Sequence, residues 1–292
     1  MRRFETWRLM PHEAVFVVFI VATLGRLLAA QGSLSPLSLL YASLLTVLMA
    51  GVIWCRRFES ETRWRIRLAL YPLAMNVAYF TLGDVIPVFH PDKADAILQS
   101  IDARLIGGNA SLWLERFSHP VCAEILSICY LTFFPGLLLS WFHYFRCELP
   151  VLRSFIAGMF TVYGIGFLGY TLLPALGPYL DPVISSRFGG PLAGGGFTRL
   201  NAQLVLNGSN RVDAFPSLHC AVTMFTLLFD RIHSPKRFRW WLLPVTGLWL
   251  ATVYLRYHYF VDVLAGFMLG AAAFWMVRQT SSSRPYELYP SF

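Results

Sequence analysis

The chain has 292 residues, of which 56% are hydrophobic and only 14% are charged, and its mean hydropathy is +0.54. Soluble domains carry about 25% charged residues, so this composition excludes a soluble domain and predicts an integral membrane protein. The formal charge of +8 does not indicate a nucleic-acid partner. The arginines are spread over short segments between apolar runs, which is the distribution that membrane topology produces.

Eight apolar segments are long enough, or nearly so, to be transmembrane helices, which need about 20 mainly apolar residues. They comprise residues 14–30, 36–54, 68–88, 120–141, 155–173, 215–230, 240–257 and 260–277. We therefore predict an all-α, polytopic membrane helix bundle of about eight transmembrane helices. The first two spans are expected to be peripheral to a six-helix core. Cleavage after Ala30 is an alternative to an uncleaved first span.

The predicted organisation has three parts. An N-terminal two-helix segment covers residues 1–67, a helical core covers 68–278, and a cytoplasmic tail covers 279–292. The orientation follows from the lysines and arginines, because the more basic side of a membrane protein faces the cytoplasm. The termini and alternate loops on one side hold 16 of these residues, and the other side holds seven. Both termini are thus predicted to be cytoplasmic.

Two long loops, residues 89–119 and 174–214, then lie on the extracytoplasmic side. The first contains AILQSIDARLIGGNASLWLERF, whose apolar positions fit an amphipathic helix on the membrane surface. The second is rich in Gly and Pro, and we expect it to be irregular.

Two short stretches place a histidine at the start of an apolar run. AFPSLHCAVT (214–223) contains His219, and LRYHYFVDVLAG (255–266) contains His258, with Asp262 four residues later. The predicted orientation puts the beginnings of the sixth and eighth spans on the extracytoplasmic side. Two imidazoles from separate spans are therefore expected at one membrane face.

The surroundings of these histidines suit an anionic substrate. Both lie at predicted helix N-termini, where unpaired N–H groups and the helix dipole favour negative charge, and Pro216 is predicted at the first helical position. Asp262 shares a helix face with His258 and can accept its Nδ1–H, which leaves Nε2 available for attack. His219 can protonate a leaving alkoxide and then activate an acceptor.

The pair PSLH and HYFVD resembles the type-2 phosphatidic acid phosphatase superfamily, also called lipid phosphate phosphatases. The surrounding sequence is most similar to the inositol-phosphorylceramide-synthase-like branch. The resemblance covers residues 70–278 and is strongest over 211–266. It implies a six-helix core, a covalent phosphohistidine and no metal, and we expect no cofactor. By motif position it implies that His258 is the nucleophile, Asp262 its orienting carboxylate and His219 the general acid–base.

The chain departs from the family pattern around the phosphate. Leu218 stands where the second motif usually has glycine, and Thr252 where the third motif usually has arginine. The first motif, Lys-x6-Arg-Pro, is not found. The residues predicted to bind the substrate phosphate are Ser217, Arg256 and Arg211.

These observations predict an enzyme at the extracytoplasmic face, either a lipid-phosphate phosphatase or a lipid head-group phosphotransferase. Its expected partners are the membrane, a lipid phosphate or phospholipid substrate, and an alcohol or lipid acceptor. The main alternative is a transporter in which the same histidines relay protons. Two other interpretations are a non-catalytic scaffold and a metal site, the latter built from His219, His258, Asp213 and Asp262.

Overall fold

The computed structural model describes residues 9–57 and 60–282. These residues form thirteen helices and no strand. The helices are α1 (Pro11–Gln31), α2 (Pro36–Arg57), α3 (Glu61–Phe89), α4 (Asp95–Ile106), α5 (Ala110–Glu115), α6 (Pro120–Leu131), α7 (Phe133–Phe145), α8 (Leu149–Leu172), α9 (Pro182–Ser185), α10 (Gly196–Gly208), α11 (Leu218–His233), α12 (Pro235–Tyr254) and α13 (Phe260–Ser282).

Each of the eight predicted spans is helical, with α6 and α7 forming one span. Among the described helices, α1, α2, α3, the α6–α7 pair, α8 and α13 are long and apolar enough to cross a membrane. The remaining two, α11 and α12, are a 16-residue helix and a helix that begins with several basic residues. The predicted all-α membrane bundle is confirmed.

The central helix of the bundle is α8, which packs against α1, α3, α11 and α13. Its glycines explain this position, because small residues let neighbouring helices approach closely. Gly158 lies directly against the ring of Phe225, and Gly166 lies against Leu218. Large side chains of α11 therefore fill the space that the α8 backbone leaves open.

The first helix belongs to the core rather than to its periphery. Phe16 and Phe19 of α1 are fully buried and contact Phe167 of α8. A buried ion pair joins Glu13 of α1 to Arg67 of α3 at 2.5 Å. The peripheral position expected for the first two spans therefore fits α2, which packs against α1 and α3, but is wrong for α1.

The predicted segment boundaries do not coincide with breaks in the helices. The boundary between residues 67 and 68 falls inside α3, and α13 continues to Ser282, past the predicted end of the core. Most of the predicted tail and the first eight residues lie outside the described residues. As a statement about domain organisation, the three-part division stays a prediction.

The short helices α4, α5, α9 and α10 cover one end of the bundle, where α11 and α13 begin. The single amphipathic helix expected over residues 96–117 is instead two helices, because Gly107 adopts a left-handed conformation (φ +78°) and ends α4. The loop expected to be irregular contains the 13-residue α10. Glu124 of α6 caps α10 by accepting hydrogen bonds from the backbone N–H groups of Gly195, Phe197 and Thr198 (2.8–3.1 Å). Local sequence does not reveal a cap that comes from another helix.

Candidate active site

His219 lies in the first turn of α11, whose start is fixed by Ser217. The hydroxyl of Ser217 accepts a hydrogen bond from the Cys220 N–H (3.4 Å), as expected for an N-cap residue. Pro216 precedes this cap, so its predicted place at the first helical position is wrong. The imidazole of His219 packs against the rings of Tyr130 and Phe133, at centroid distances of 4.7 and 4.4 Å.

His258 lies in the turn between α12 and α13, two residues before α13 begins. Its backbone N–H donates to the carbonyl of Thr252 (3.0 Å), and Arg256 takes a left-handed conformation (φ +71°) to close the turn. The residue is 5% exposed. The nucleophile predicted by the motif is thus held by an irregular turn rather than by a helix.

The orientation of the His258 ring is set by two acceptors at Nδ1. The carbonyl oxygen of Ala214 lies 3.0 Å from Nδ1, and Oδ2 of Asp262 lies 3.4 Å from it. A neutral imidazole carries one N–H, so a proton shared between these acceptors must be on Nδ1. The lone pair is then on Nε2, as nucleophilic attack requires.

Asp262 is fully buried in the first turn of α13. Its Oδ2 accepts a hydrogen bond from the Tyr259 N–H (2.9 Å), and its carbonyl accepts one from the Ser217 N–H (3.0 Å). Within the described residues, no hydrogen-bond donor reaches Oδ1. Asp262 therefore connects the His258 turn to the start of α11.

The two histidines are neighbours at the same end of the bundle. Their ring centroids are 5.9 Å apart, with an angle of 60° between the ring planes. Close packing of α11 on α13 permits this approach, since Gly266 of α13 lies against the Ser217 carbonyl. A single group bound between the rings can contact both.

The three residues predicted to bind phosphate have different environments. Ser217 is fully buried as the α11 cap. Arg256 donates to Glu115 (3.1 Å) and to the Gly190 carbonyl (2.8 Å), and its guanidinium lies 3.9 Å from the centre of the Phe188 ring. Arg211 is exposed, and within the described residues its guanidinium has no hydrogen-bond or ion-pair partner.

The alternative metal site does not assemble. Asp213 accepts hydrogen bonds from the hydroxyls of Tyr79 (3.0 Å) and Ser209 (2.9 Å) instead of facing the histidines. In the part of the chain that the structure describes, no three His, Cys, Asp or Glu side chains form a group that could hold a metal ion.

Sequence reasoning missed the groups that support the site from outside the two motifs. The main acceptor of His258 is a backbone carbonyl, that of Ala214, for which the sequence carries no signal. Asp95 and Asp102 of α4 are almost fully buried and bond to segments next to His258. Burial raises the pKa of both carboxyls. Their seven-residue spacing on one helix face was the available signal.

Residues 96–276, well over half of the chain, match the PAP2 superfamily, and the chain belongs to that superfamily. It is 29% identical to the inositol phosphorylceramide synthase of Candida albicans over 67% of the chain and 44% of that relative. It is 26% identical to the phosphoinositol dihydroceramide synthase of Bacteroides thetaiotaomicron over 87% of the chain and 88% of that relative.

The chain is also 34% identical to the inositol phosphorylceramide synthase catalytic subunit of Saccharomyces cerevisiae, over 30% of the chain. It spans less than half the length of either fungal relative and most of the bacterial one. No solved structure matches it significantly. The family and branch inferred from the motifs are confirmed.

Proposed function

We propose that this chain is an integral membrane enzyme that transfers the phosphate-bearing head group of a lipid through a phosphohistidine on His258. The observation that carries the proposal is that the ring centroids of His219 and His258 lie 5.9 Å apart, and that two acceptors, the Ala214 carbonyl and Asp262, face Nδ1 of His258. Membership of the PAP2 superfamily supports the reaction class.

In the first step, Nε2 of His258 attacks phosphorus, a P–N bond forms, and the bond from phosphorus to the lipid alcohol oxygen breaks. His219, as an imidazolium, gives its proton to that oxygen. In the second step, an acceptor hydroxyl gives its proton to neutral His219 while its oxygen attacks phosphorus and the P–N bond breaks. Asp262 and the Ala214 carbonyl stabilise the positive charge that His258 carries in between.

The names of the relatives suggest the substrates. The bacterial relative, which aligns over most of both chains, is a phosphoinositol dihydroceramide synthase. We therefore propose a phosphoinositol lipid as donor and a ceramide-type alcohol as acceptor. Water in the acceptor position would make the same chemistry a phosphatase reaction. Arg211, an exposed cation three residues before Ala214 in sequence, is proposed to contact the phosphate, whereas Ser217 and Arg256 would have to leave their present partners to do so.

The test uses purified protein with phosphatidylinositol labelled in its head group, with and without a fluorescent ceramide, in the presence of a chelator. Transfer by wild type that is lost in His258→Ala supports the proposal. His233→Ala is the matched control, because this histidine lies at the opposite end of α11. A labelled covalent species that accumulates in His219→Ala supports the division of roles. Transport of unaltered lipid into vesicles, with no chemical change, would support the transporter instead.

We also propose that the site faces away from the cytoplasm, on the basis of the 16 to 7 distribution of basic residues. Single cysteines at Arg211 and Lys236, in a variant without its native cysteines, test this. A membrane-impermeant maleimide should label the cysteine at 211 in intact cells and the one at 236 only after permeabilisation. The reverse pattern would place the site in the cytoplasm.

A further inference from the structure

Helix α4 lies outside the predicted spans, yet it carries two of the most buried carboxylates in the described residues. Asp95 is 4% exposed and Asp102 is fully buried. Residues seven positions apart lie on the same face of a helix. Both side chains bond to backbone groups of distant segments. The segment bound by Asp102 follows His258 in sequence, and the segment bound by Asp95 contacts Ala214, whose carbonyl lies against the His258 ring.

Asp102 holds the start of α13. Its Oδ2 accepts the N–H of Phe260 (2.9 Å) and its Oδ1 accepts the N–H of Val261 (2.8 Å). These are the first two residues of α13, where backbone N–H groups have no partner within the helix and a negative charge is favoured by the dipole. These bonds hold the backbone segment that lies between His258 and Asp262 in the chain, on which the distance between the two side chains depends.

Asp95 holds the other acceptor of the His258 ring. Its carboxylate accepts the N–H groups of Leu176 and Gly177 (3.0–3.1 Å). The preceding residue, Ala175, accepts the N–H of Ala214 (3.3 Å), and the Ala214 carbonyl in turn contacts Nδ1 of His258. The position of that carbonyl therefore depends on a segment that Asp95 anchors.

Tyr259, the residue after His258, joins the same network. Its hydroxyl lies 3.0 Å from Oδ1 of Asp95 and 2.8 Å from Oδ2 of Asp181, and Asp181 also bonds to Gln99 of α4. Helix α4 thus bonds directly to Tyr259, Phe260 and Val261, the three residues that follow His258.

We propose that Asp102 and Asp95 are positioning residues of the catalytic histidine. Through backbone groups, they hold its ring at the distances from Asp262 and Ala214 that the reaction needs. The proposal rests on the proposed function for its kinetic test. It assigns α4 a role in catalysis rather than only in attachment to the membrane surface.

The kinetic test compares Asp102→Ala and Asp102→Asn with wild type at saturating and limiting donor. A misplacement of about 1 Å can cost about 100-fold in rate. We expect Asp102→Ala to lower kcat by about 10- to 100-fold with KM nearly unchanged. The kcat of Asp102→Asn, whose amide oxygen can still accept one N–H, should lie between those of wild type and Asp102→Ala. Asp95→Asn should show the same kcat-only signature.

Glu124→Gln is the matched control, because Glu124 also caps a helix from another element but caps α10, which carries no predicted site residue. Its kcat should stay close to wild type. All rates are referred to the folded fraction from size-exclusion chromatography, and Asp102→Asn carries the test if the alanine variant does not fold. Equal losses of kcat in the Asp102 and Glu124 variants, or a loss confined to KM, would overturn the inference.

A second measurement does not depend on activity. Diethylpyrocarbonate modification of His258, followed by peptide mass spectrometry with His233 as internal reference, should be faster in Asp102→Ala than in wild type. An unchanged rate would contradict the inference. If wild type transfers no head group to any acceptor, the proposed function fails, and the modification rate alone decides whether Asp102 positions His258.

Discussion

Replacing Asp262 by asparagine separates two functions that one carboxylate could serve. In this site the Ala214 carbonyl is the nearer acceptor of the His258 Nδ1–H, at 3.0 Å against 3.4 Å for Asp262. We therefore expect Asp262→Asn to keep the imidazole in the correct tautomer. The variant should lose only the stabilisation that a negative charge gives to the phosphohistidine.

The size of the loss follows from this division. Hydrogen bonds to charged groups contribute about 1.5–3 kcal/mol, which corresponds to about 10- to 150-fold in kcat. The long 3.4 Å contact favours the lower part of that range. Where a carboxylate alone fixes the tautomer of a catalytic histidine, its replacement by the amide costs about 10⁴-fold.

The assay is head-group transfer measured as kcat and KM for the folded fraction of each variant. Asparagine is nearly isosteric with aspartate, and its amide oxygen can still accept the Tyr259 N–H. Asp230→Asn is the matched control, because Asp230 is equally buried but lies at the far end of α11, where it bonds to Tyr144 and Arg237. A loss of 10⁴-fold or more in Asp262→Asn would show that Asp262 and not Ala214 fixes the tautomer. No loss at all would refute the assignment of His258 as the group that becomes charged.

Three further predictions concern the surroundings of the site and the fold. Arg211→Ala should lower kcat/KM by about 10- to 150-fold if its guanidinium binds the phosphate. Arg256→Ala and Glu115→Gln should both give small losses, because each breaks the ion pair between these two residues. A KM effect seen only in Arg256→Ala would show that Arg256 binds substrate. Gly177→Ala should cost about 1–2 kcal/mol of stability because of the left-handed backbone at this residue, and more because the new Cβ would collide with the Tyr257 carbonyl. The control in thermal melting is Gly32→Ala, since Gly32 has a similar φ but open space around it. Equal melting temperatures for the two variants would contradict the collision. Arg67→Ala should destabilise the fold by about 3–5 kcal/mol, because it leaves the buried Glu13 carboxylate without its cationic partner. The double variant Glu13→Leu with Arg67→Met should lose less, and the reverse order in a melting experiment would refute this.

Much of the bundle could be read from the sequence because hydropathy reports directly on membrane spans. The two histidine motifs also carried enough local information to predict that His219 and His258 meet. Other features depend on contacts between distant segments. The break at Gly107 and the helix capped by Glu124 are examples, since neither the left-handed glycine nor the cap from α6 can be inferred from nearby residues.

The support of the site was hidden for a similar reason. Asp95 and Asp102 read as ordinary polar positions of an amphipathic helix, and only the folded chain shows that they are buried. Arg256 next to His258 was a reasonable candidate for the phosphate, but its partner Glu115 lies 141 residues away in sequence. Pairings over such distances are not encoded in any local pattern.

The irregular turn that carries His258 has a consequence for how such proteins can vary. The proposed chemistry uses α4 and the first turns of α11 and α13, whereas exposed apolar side chains such as Leu73, Phe80 and Trp275 lie in other turns of helices long and apolar enough to cross a membrane. Substitutions of the exposed apolar residues could thus adapt the protein to a thicker bilayer or another acyl chain without changing the residues proposed for the reaction. An exchange of these exposed apolar residues between distant homologues should preserve turnover, provided that the short helices α4, α5, α9 and α10 and the two histidines come from the same protein.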